Sequence, residues 1–306
     1  MVNTNIKTVI ITGPTAVGKT EVAIGLALRL EIDIISSDSL QVYKKLNIGT
    51  SKPTEKELKK VHHHCIDIVE PDEEFNASFF AEISEKLEEK NRRKGNITLL
   101  CGGTGLFIDA FLNDYSCSIP SNKNVREKYN QLAKEKGVEK LYEELKKIDA
   151  VYAERITLKD RQKIVRAMEV YEITGNRFSF YHGQKSSRNN NETLYVVLHQ
   201  GRKELYERIN QRVEKMMEAG FIDEVKSLIK SGYNRELKPL KSIGYNELIA
   251  HYFGEISLDE AIEKIKTNSR RLAKRQLTWH RRRSDAVYID IDEIKNPVEH
   301  ILGLIQ

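Results

Sequence analysis

Short apolar runs alternate with longer amphipathic stretches through the first hundred residues. Residues 8–12, 32–36 and 97–101 are apolar runs rich in β-branched side chains, a pattern that predicts buried strands. Apolar positions at helical spacing cover residues 21–30 and 75–93. This β-α-β order predicts an α/β fold, in which a parallel sheet is flanked by helices and ligands bind at the carboxyl ends of the strands.

The pattern changes after the third strand. From 125 to 171 the apolar spacing is helical throughout, and the polar positions are mostly Lys and Glu. A clear strand pattern returns at residues 194–198. We therefore predict an all-helical insertion domain at residues 121–185, set into an α/β core domain formed by residues 1–120 and 186–306.

The C-terminal third combines helical patterns with a concentration of positive charge. Helical spacing covers residues 203–219, 221–230 and 258–283, and a last strand is predicted at residues 287–290. The end of the long helix carries seven basic side chains and no acidic one: Arg270, Arg271, Lys274, Arg275, Arg281, Arg282 and Arg283. Such a stripe indicates either a polyanion partner or a solvated helix face.

Composition limits the class of protein. At 306 residues the chain is long enough for two domains or for one domain with an insertion, and its net charge of +5 is mild. No run of about 18 apolar residues is present, so no membrane span is expected. The N-terminus lacks the apolar stretch of a leader peptide, and three cysteines are too few and too scattered for a disulfide framework. We therefore expect a reduced, cytoplasmic protein.

The strongest chemical signal follows the first strand. The segment matches the phosphate-loop pattern G-x-x-x-x-G-K-[ST] and consists of Gly13, Pro14, Thr15, Ala16, Val17, Gly18, Lys19 and Thr20. A strand, this loop and a helix N-terminus together direct backbone N–H groups at one anion. Lys19 would add a positive charge and the Thr20 hydroxyl a ligand for Mg²⁺. The chain is expected to bind a diphosphate or triphosphate.

Two further polar segments follow strands of the predicted sheet. Asp38 comes after the second strand, where it could hold Mg²⁺ through water, act as a general base, or cap a turn. Gly102 to Gly105 follow the third strand, where a ligand could approach the backbone closely or the chain could simply turn. Three adjacent histidines, residues 62–64, lack the spacing of a metal site.

Taken in order, these segments resemble the tRNA dimethylallyltransferases of the bacterial type, with no Cys/His finger after residue 283. The resemblance extends over nearly the whole chain and is carried by residues 13–20, Asp38-Ser39-Leu40-Gln41-Val42-Tyr43, Ile48-Gly49-Thr50-Ser51-Lys52-Pro53-Thr54, His63-His64-Cys65-Ile66-Asp67, Gly102-Gly103-Thr104-Gly105-Leu106-Phe107, Arg166-Ala167-Met168-Glu169-Val170, Ser242-Ile243-Gly244-Tyr245 and Ala273-Lys274-Arg275-Gln276-Leu277-Thr278-Trp279.

The resemblance implies a P-loop NTPase-like core whose loop holds dimethylallyl diphosphate with Mg²⁺. The enzyme would transfer the dimethylallyl group to N6 of the adenosine 3′ to the anticodon and release diphosphate. By position in the family pattern, Asp38 would take the N6 proton. Lys19 and Arg212 would stabilise the negative charge on the departing diphosphate, and Thr20 would bind the Mg²⁺.

The resemblance also implies how tRNA is bound. The helical insertion would clasp the anticodon stem-loop, and a monomer is the expected state. The positions that match tRNA contacts are Asp38, Ser39, Leu40, Gln41, Thr104, Arg126, Gln162, Lys163, Arg166, Lys241, Ser242, Gly244 and Tyr245.

Three other functions are compatible with parts of this pattern. The phosphate loop alone would also suit ATP and hence a nucleoside or nucleotide kinase. An adenylate isopentenyltransferase would prenylate free AMP, ADP or ATP, with less need of the insertion and the basic helix. A non-catalytic RNA-binding module with a regulatory nucleotide site would not require Asp38.

Overall fold

A computed structural model describes residues 5–113, 121–182 and 190–305. The chain divides into two compact units. Within the described ranges, residues 5–113 and 190–305 belong to the first unit and residues 121–182 to the second.

The first unit contains all the described strands. Its strands are β1 (Thr8–Thr12), β2 (Ile34–Ser36), β3 (His63–His64), β4 (Thr98–Cys101), β5 (Thr193–His199) and β6 (Val287–Asp290). Its helices are α1 (Lys19–Leu30), α2 (Glu55–Lys60), α3 (Ala77–Arg93), α4 (Gly105–Leu112), α10 (Arg202–Glu218), α11 (Phe221–Lys230), α12 (Tyr245–Tyr252), α13 (Leu258–His280) and α14 (Pro297–Ile305). None of the described helices is long and apolar enough to cross a lipid bilayer.

The six strands form one parallel sheet in the order β3-β2-β4-β1-β5-β6. Ile10 at the centre of β1 lies opposite Leu100 of β4 on one side and Tyr195 of β5 on the other. All five residues of β1 are buried, as expected for a central strand covered on both faces. The predicted parallel α/β sheet is confirmed, and its carboxyl edge collects the loops that follow β1, β2 and β4.

Alternate side chains of the strands enter two separate cores. Ile10 and Leu100 point to a cluster that includes Phe111 of α4, whereas Val9 and Leu99 point to a cluster that includes Leu26 of α1. This separation follows from the two-residue period of a strand, which sends neighbouring side chains to opposite faces. Both faces of the sheet are therefore sealed, and its carboxyl edge is the place left for ligands.

The second unit is entirely helical in its described part. It comprises α5 (Lys123–Glu135), α6 (Val138–Ile148), α7 (Ala150–Ala153), α8 (Arg161–Thr174) and α9 (Phe178–His182). Its core contains Tyr129, Leu145, Ile164 and Met168. The buried Asp149 carboxylate accepts hydrogen bonds from the backbone N–H of Tyr152 (3.0 Å) and of Ser179 (2.7 Å), and so ties α7 to α9.

Gly13 provides the first testable consequence of this packing. A Cβ at this position would lie 2.3 Å from the carbonyl oxygen of Leu198, and its φ of +142° disfavours any side chain. We expect Gly13→Ala to lower the free energy of unfolding by about 2–4 kcal/mol in urea titrations. Gly303→Ala is the matched control, because nothing lies within 4 Å and its helical position should gain up to about 1 kcal/mol. Equal stabilities of the two variants would contradict the close approach.

Candidate active site

A cavity of about 860 Å³ opens at the carboxyl edge of the sheet, entirely within the first unit. This is the size of a typical small-molecule site. Many of the predicted site residues line it: Thr15, Ala16, Gly18, Lys19, Thr20, Asp38, Ser39, Leu40, Gln41, Thr104, Arg212, Lys241, Ser242 and Gly244.

The phosphate loop connects β1 to α1 along one wall of this cavity. Gly18 adopts a left-handed conformation (φ +97°) immediately before α1, and no side chain of the described chain caps this helix end. The first amides of α1 are therefore left for an anion, which the partial positive charge of the helix N-terminus also favours. Gly13, Pro14 and Val17 are buried beneath this surface and shape the loop.

Lys19 turns back over its own loop. Its Nζ donates to the carbonyl oxygens of Gly13 (3.0 Å) and Pro14 (2.7 Å). Desolvation, with a smaller contribution from Arg212, lowers the pKa of Lys19 to about 8, although Cys101 and Asp38 act in the opposite direction. The ammonium group therefore lacks a fully compensating negative charge, which an incoming diphosphate would supply.

Arg212 reaches the same loop from α10. Its Nη1 donates to Thr15 Oγ1 (2.9 Å) and its Nε to Ser51 Oγ (2.9 Å). Desolvation lowers the pKa of this guanidinium too, although arginine stays charged at any ordinary pH. Two cations thus converge beside the loop, as stabilisation of a highly charged leaving group requires.

Asp38 reaches the cavity from the loop after β2. Its Oδ1 accepts from the backbone N–H of Leu40 (2.9 Å) and, more weakly, of Gln41 (3.4 Å). The side chain therefore caps the turn, and it also lines the cavity. Thr104 Oγ1 accepts from the Ser39 N–H at 3.0 Å, so the loop after β4 fixes the loop that carries Asp38.

Glu224 of α11 is a supporting residue of this site that the sequence did not reveal. Its carboxylate accepts from the backbone N–H groups of Asn47 (3.0 Å), Ile48 (2.7 Å) and Gly49 (3.2 Å). Four donors in all meet this one group, because the Tyr245 hydroxyl also donates to it at 2.6 Å. Glu224 thereby fixes the backbone just before Ser51, which accepts a hydrogen bond from Arg212. In the sequence, the family motif at residues 48–54 was the signal that this segment belongs to the site.

The segment around Gly244 divides into lining and supporting residues. Lys241 and Ser242 line the cavity, with Lys241 in an ion pair with Glu236 (2.6 Å). Gly244 (φ +94°) also lines it. Tyr245 has no exposed surface, so its side chain supports this segment rather than offering a contact surface.

The second unit carries its own cationic cluster. The fully buried Glu169 carboxylate pairs with Arg126 (3.0 Å) and Arg166 (3.1 Å). Burial alone would raise the pKa of Glu169, but these arginines and the Asn122 N–H outweigh it and lower the pKa. Gln162 and Lys163 lie exposed on the same helix, α8. The four predicted contacts of this unit therefore start from α5 and α8.

Side chains of α13 anchor the basic helix to the sheet. Trp279 Nε1 donates to Asp109 of α4 (3.1 Å), so this tryptophan ties α13 to α4. His280 is fully buried between the hydroxyls of Thr12 (3.1 Å) and Tyr195 (2.9 Å). Desolvation lowers the pKa of His280 to about 4, so this link between α13, β1 and β5 is neutral at pH 7.

The donor set of the cavity fits a hard divalent cation. Thr20 and Asp38 both line it and offer a hydroxyl and a carboxylate, the oxygen ligands that Mg²⁺ prefers. Elsewhere in the described chain, no three His, Cys, Asp or Glu side chains group as metal ligands. The adjacent histidines have other roles, since His64 pairs with Asp33 at 3.0 Å.

Comparison with known proteins places this geometry in a family. The family model described as IPP transferase matches residues 41–283. The chain belongs to the IPP transferase family. It is 43% identical over 289 residues to the tRNA dimethylallyltransferase of Thermosipho melanesiensis (94% of each chain), and 42% identical over 288 residues to that of Geobacillus kaustophilus (94% and 91%).

Solved structures agree with this assignment. The full-length tRNA isopentenylpyrophosphate transferase from Bacillus halodurans is 36% identical, with a TM-score of 0.71 over 98% of this chain and 96% of that one. A eukaryotic dimethylallyltransferase acting on tRNA is 25% identical, with a TM-score of 0.82 over 97% of this chain and 78% of that one. The predicted family, the P-loop-like fold and the assignment as a transferase are confirmed.

The lowered pKa of Lys19 predicts a pH-dependent affinity for diphosphate. The ammonium form attracts the anion, so binding weakens as Lys19 loses its proton above pH 8. We expect the affinity advantage of the wild type over Lys19→Met for inorganic pyrophosphate to fall about tenfold between pH 7 and pH 9 in calorimetric titrations. An advantage that stays constant over this range would show that the pKa of Lys19 is not lowered.

Proposed function

We propose that this protein transfers the dimethylallyl group from dimethylallyl diphosphate to N6 of the adenosine 3′ to the anticodon in tRNA. The observation that carries the proposal is the cavity in which Lys19 and Arg212 converge on the phosphate loop and which the Asp38 carboxylate also lines. The names of the relatives, tRNA dimethylallyltransferase, support the same reaction.

The phosphate loop would hold the diphosphate by its residues from Gly13 to Thr20. As the allylic C–O bond breaks, negative charge grows on the diphosphate, where Lys19, Arg212 and the first amides of α1 stabilise it. Thr20 is the proposed protein ligand of Mg²⁺. The ion would supply further positive charge to the leaving group.

The acceptor side of the cavity would receive the adenine base, flipped out of its stack. The N6 lone pair forms the new C–N bond to the allylic carbon, the C–O bond to diphosphate breaks, and the N6 proton passes to the Asp38 carboxylate. The contact of Asp38 with the Leu40 amide holds the carboxylate in one orientation for this transfer. The products are N6-dimethylallyladenosine and diphosphate.

Contacts with the anticodon stem-loop are proposed on both units. In the first unit the positions are Asp38, Ser39, Leu40, Gln41, Thr104, Lys241, Ser242 and Gly244, with Tyr245 in support. In the helical insertion they are Arg126, Gln162, Lys163 and Arg166, of which the arginines are oriented by Glu169. We further propose a monomer that acts in the cytoplasm, where tRNA is found.

The test of this proposal is transfer of labelled dimethylallyl diphosphate to an unmodified anticodon stem-loop, with free AMP in a parallel reaction. Label in the RNA and not in AMP is expected. Label in AMP alone would instead indicate an adenylate isopentenyltransferase, and label in neither would contradict prenyl transfer.

Replacing Asp38 separates base catalysis from binding. Asp38→Asn keeps the acceptor for the Leu40 amide but no longer takes a proton, so the transfer rate should fall about 10²- to 10⁴-fold in single-turnover assays. Affinity for the stem-loop, measured by filter binding, should change little. Asp33→Asn is the matched control, because Asp33 is exposed just before β2, lies outside the cavity and pairs with His64 at 3.0 Å. Full activity of Asp38→Asn would rule out its role as the base.

A further inference from the structure

One side chain of α13 links the loops that follow the neighbouring strands β1 and β4. Gln276 Oε1 accepts from the Thr15 N–H at 2.8 Å, and Gln276 Nε2 donates to the Gly103 carbonyl oxygen at 3.0 Å. A Cβ at position 103 would lie 2.3 Å from Gln276 Nε2. Glycine at this position therefore admits the carboxamide.

The Gly103 contact continues into the acceptor side of the cavity. The next residue, Thr104, accepts from the Ser39 N–H through its hydroxyl (3.0 Å), and its own N–H donates to the Ser37 carbonyl oxygen (3.1 Å). Asp38 lies between these two anchored residues. A continuous hydrogen-bonded path thus leads from the phosphate loop through Gln276 to the segment that carries Asp38.

We propose that Gln276 is a positioning residue that sets the separation between the phosphate loop and the Asp38 segment. This inference rests on the proposed function, in which the phosphate loop binds the prenyl donor and the Asp38 segment contacts the acceptor base. Transfer requires the allylic carbon and N6 in near-attack contact, and a displacement of about 1 Å can cost 10²-fold in rate. Gln276 touches neither reacting atom and acts through the two loops.

The chemistry of the link explains why a glutamine stands there. Thr15 offers a donor and Gly103 an acceptor, and a carboxamide supplies the complementary acceptor and donor in one group. Glutamate keeps the acceptor for Thr15 but presents a second acceptor to the Gly103 carbonyl. Methionine fills similar space and makes neither bond. These two replacements therefore separate the hydrogen bonds from the volume of the side chain.

Single-turnover transfer to the stem-loop, at saturating dimethylallyl diphosphate, tests this role in the full-length protein. For Gln276→Met we expect the rate to fall about 10- to 100-fold. The affinity for inorganic pyrophosphate should stay within about threefold of the wild type, because the amides at the start of α1 and Lys19 remain. Gln276→Glu should lose at least as much rate, and it provides a second variant if the methionine variant folds poorly. Gln200→Met is the matched control, since it removes a glutamine hydrogen bond of 2.9 Å to Asp292 outside the cavity.

Each outcome decides the matter. A slower transfer step with unchanged pyrophosphate affinity and thermal stability supports positioning by Gln276. A rate for Gln276→Met within twofold of an active wild type overturns the inference and leaves the proposed function intact. A parallel loss of pyrophosphate affinity also overturns it, because Gln276 would then only maintain the phosphate loop. A wild type that transfers no label overturns the proposed function and the inference together.

Discussion

The close approach of three strand ends is the constraint on which the rest of the site depends. The Gly102 N–H donates to the Ile11 carbonyl oxygen (3.1 Å), and the Ser37 N–H donates to that of Cys101 (2.8 Å). The Thr12 hydroxyl donates to the Gly102 carbonyl oxygen at 2.8 Å. A Cβ on Gly102 would lie 2.4 Å from the Ser37 carbonyl oxygen, so glycine is required for this contact. Because β1, β2 and β4 are parallel and in register, their loops share one edge, and the chemistry is assembled from that edge.

The two cations at this edge, Lys19 and Arg212, are shielded from water, which favours the binding of an anionic ligand. Desolvation disfavours the charged forms of both Lys19 and Arg212, and the lysine Nζ donates to two loop carbonyl oxygens. A cation removed from water without a matching anion is costly to the folded protein. A bound diphosphate would supply the matching negative charge, so these two cations would stabilise both its binding and its departure as a leaving group. Ser51 lies outside the phosphate loop and accepts from Arg212 at 2.9 Å, and Glu224 fixes the backbone of residues 47–49 just before it.

The strands and the phosphate loop could be predicted from the sequence because their signals are local. Thr8–Thr12 matches the predicted strand, and the loop pattern is contiguous. The two-residue strand β3 is too short to show a period, and α4 begins directly after the glycine loop, which the sequence presents as a turn. The predicted helix 258–283 ends at His280, which is held by Thr12 and Tyr195 from other elements.

Residues that act over long sequence distances could not be found in this way. Glu224 and Gln276 reach loops about 175 and 261 positions away, and neither has a distinctive local pattern. For Tyr245 the sequence has a signal, but the signal does not show where the side chain points. Its place in a motif predicted a tRNA contact, whereas its side chain is buried against Phe221. Motifs identify segments that matter, and only the packing shows which side chains face the cavity.

The central claim is that this phosphate loop holds the diphosphate of a prenyl donor rather than a nucleoside triphosphate. Calorimetric titration of the full-length protein with dimethylallyl diphosphate and with ATP, each with Mg²⁺, tests it most directly. The account predicts tighter binding of dimethylallyl diphosphate and loss of that binding in Lys19→Met. Tight binding of ATP, with dimethylallyl diphosphate unable to displace it, would contradict the account.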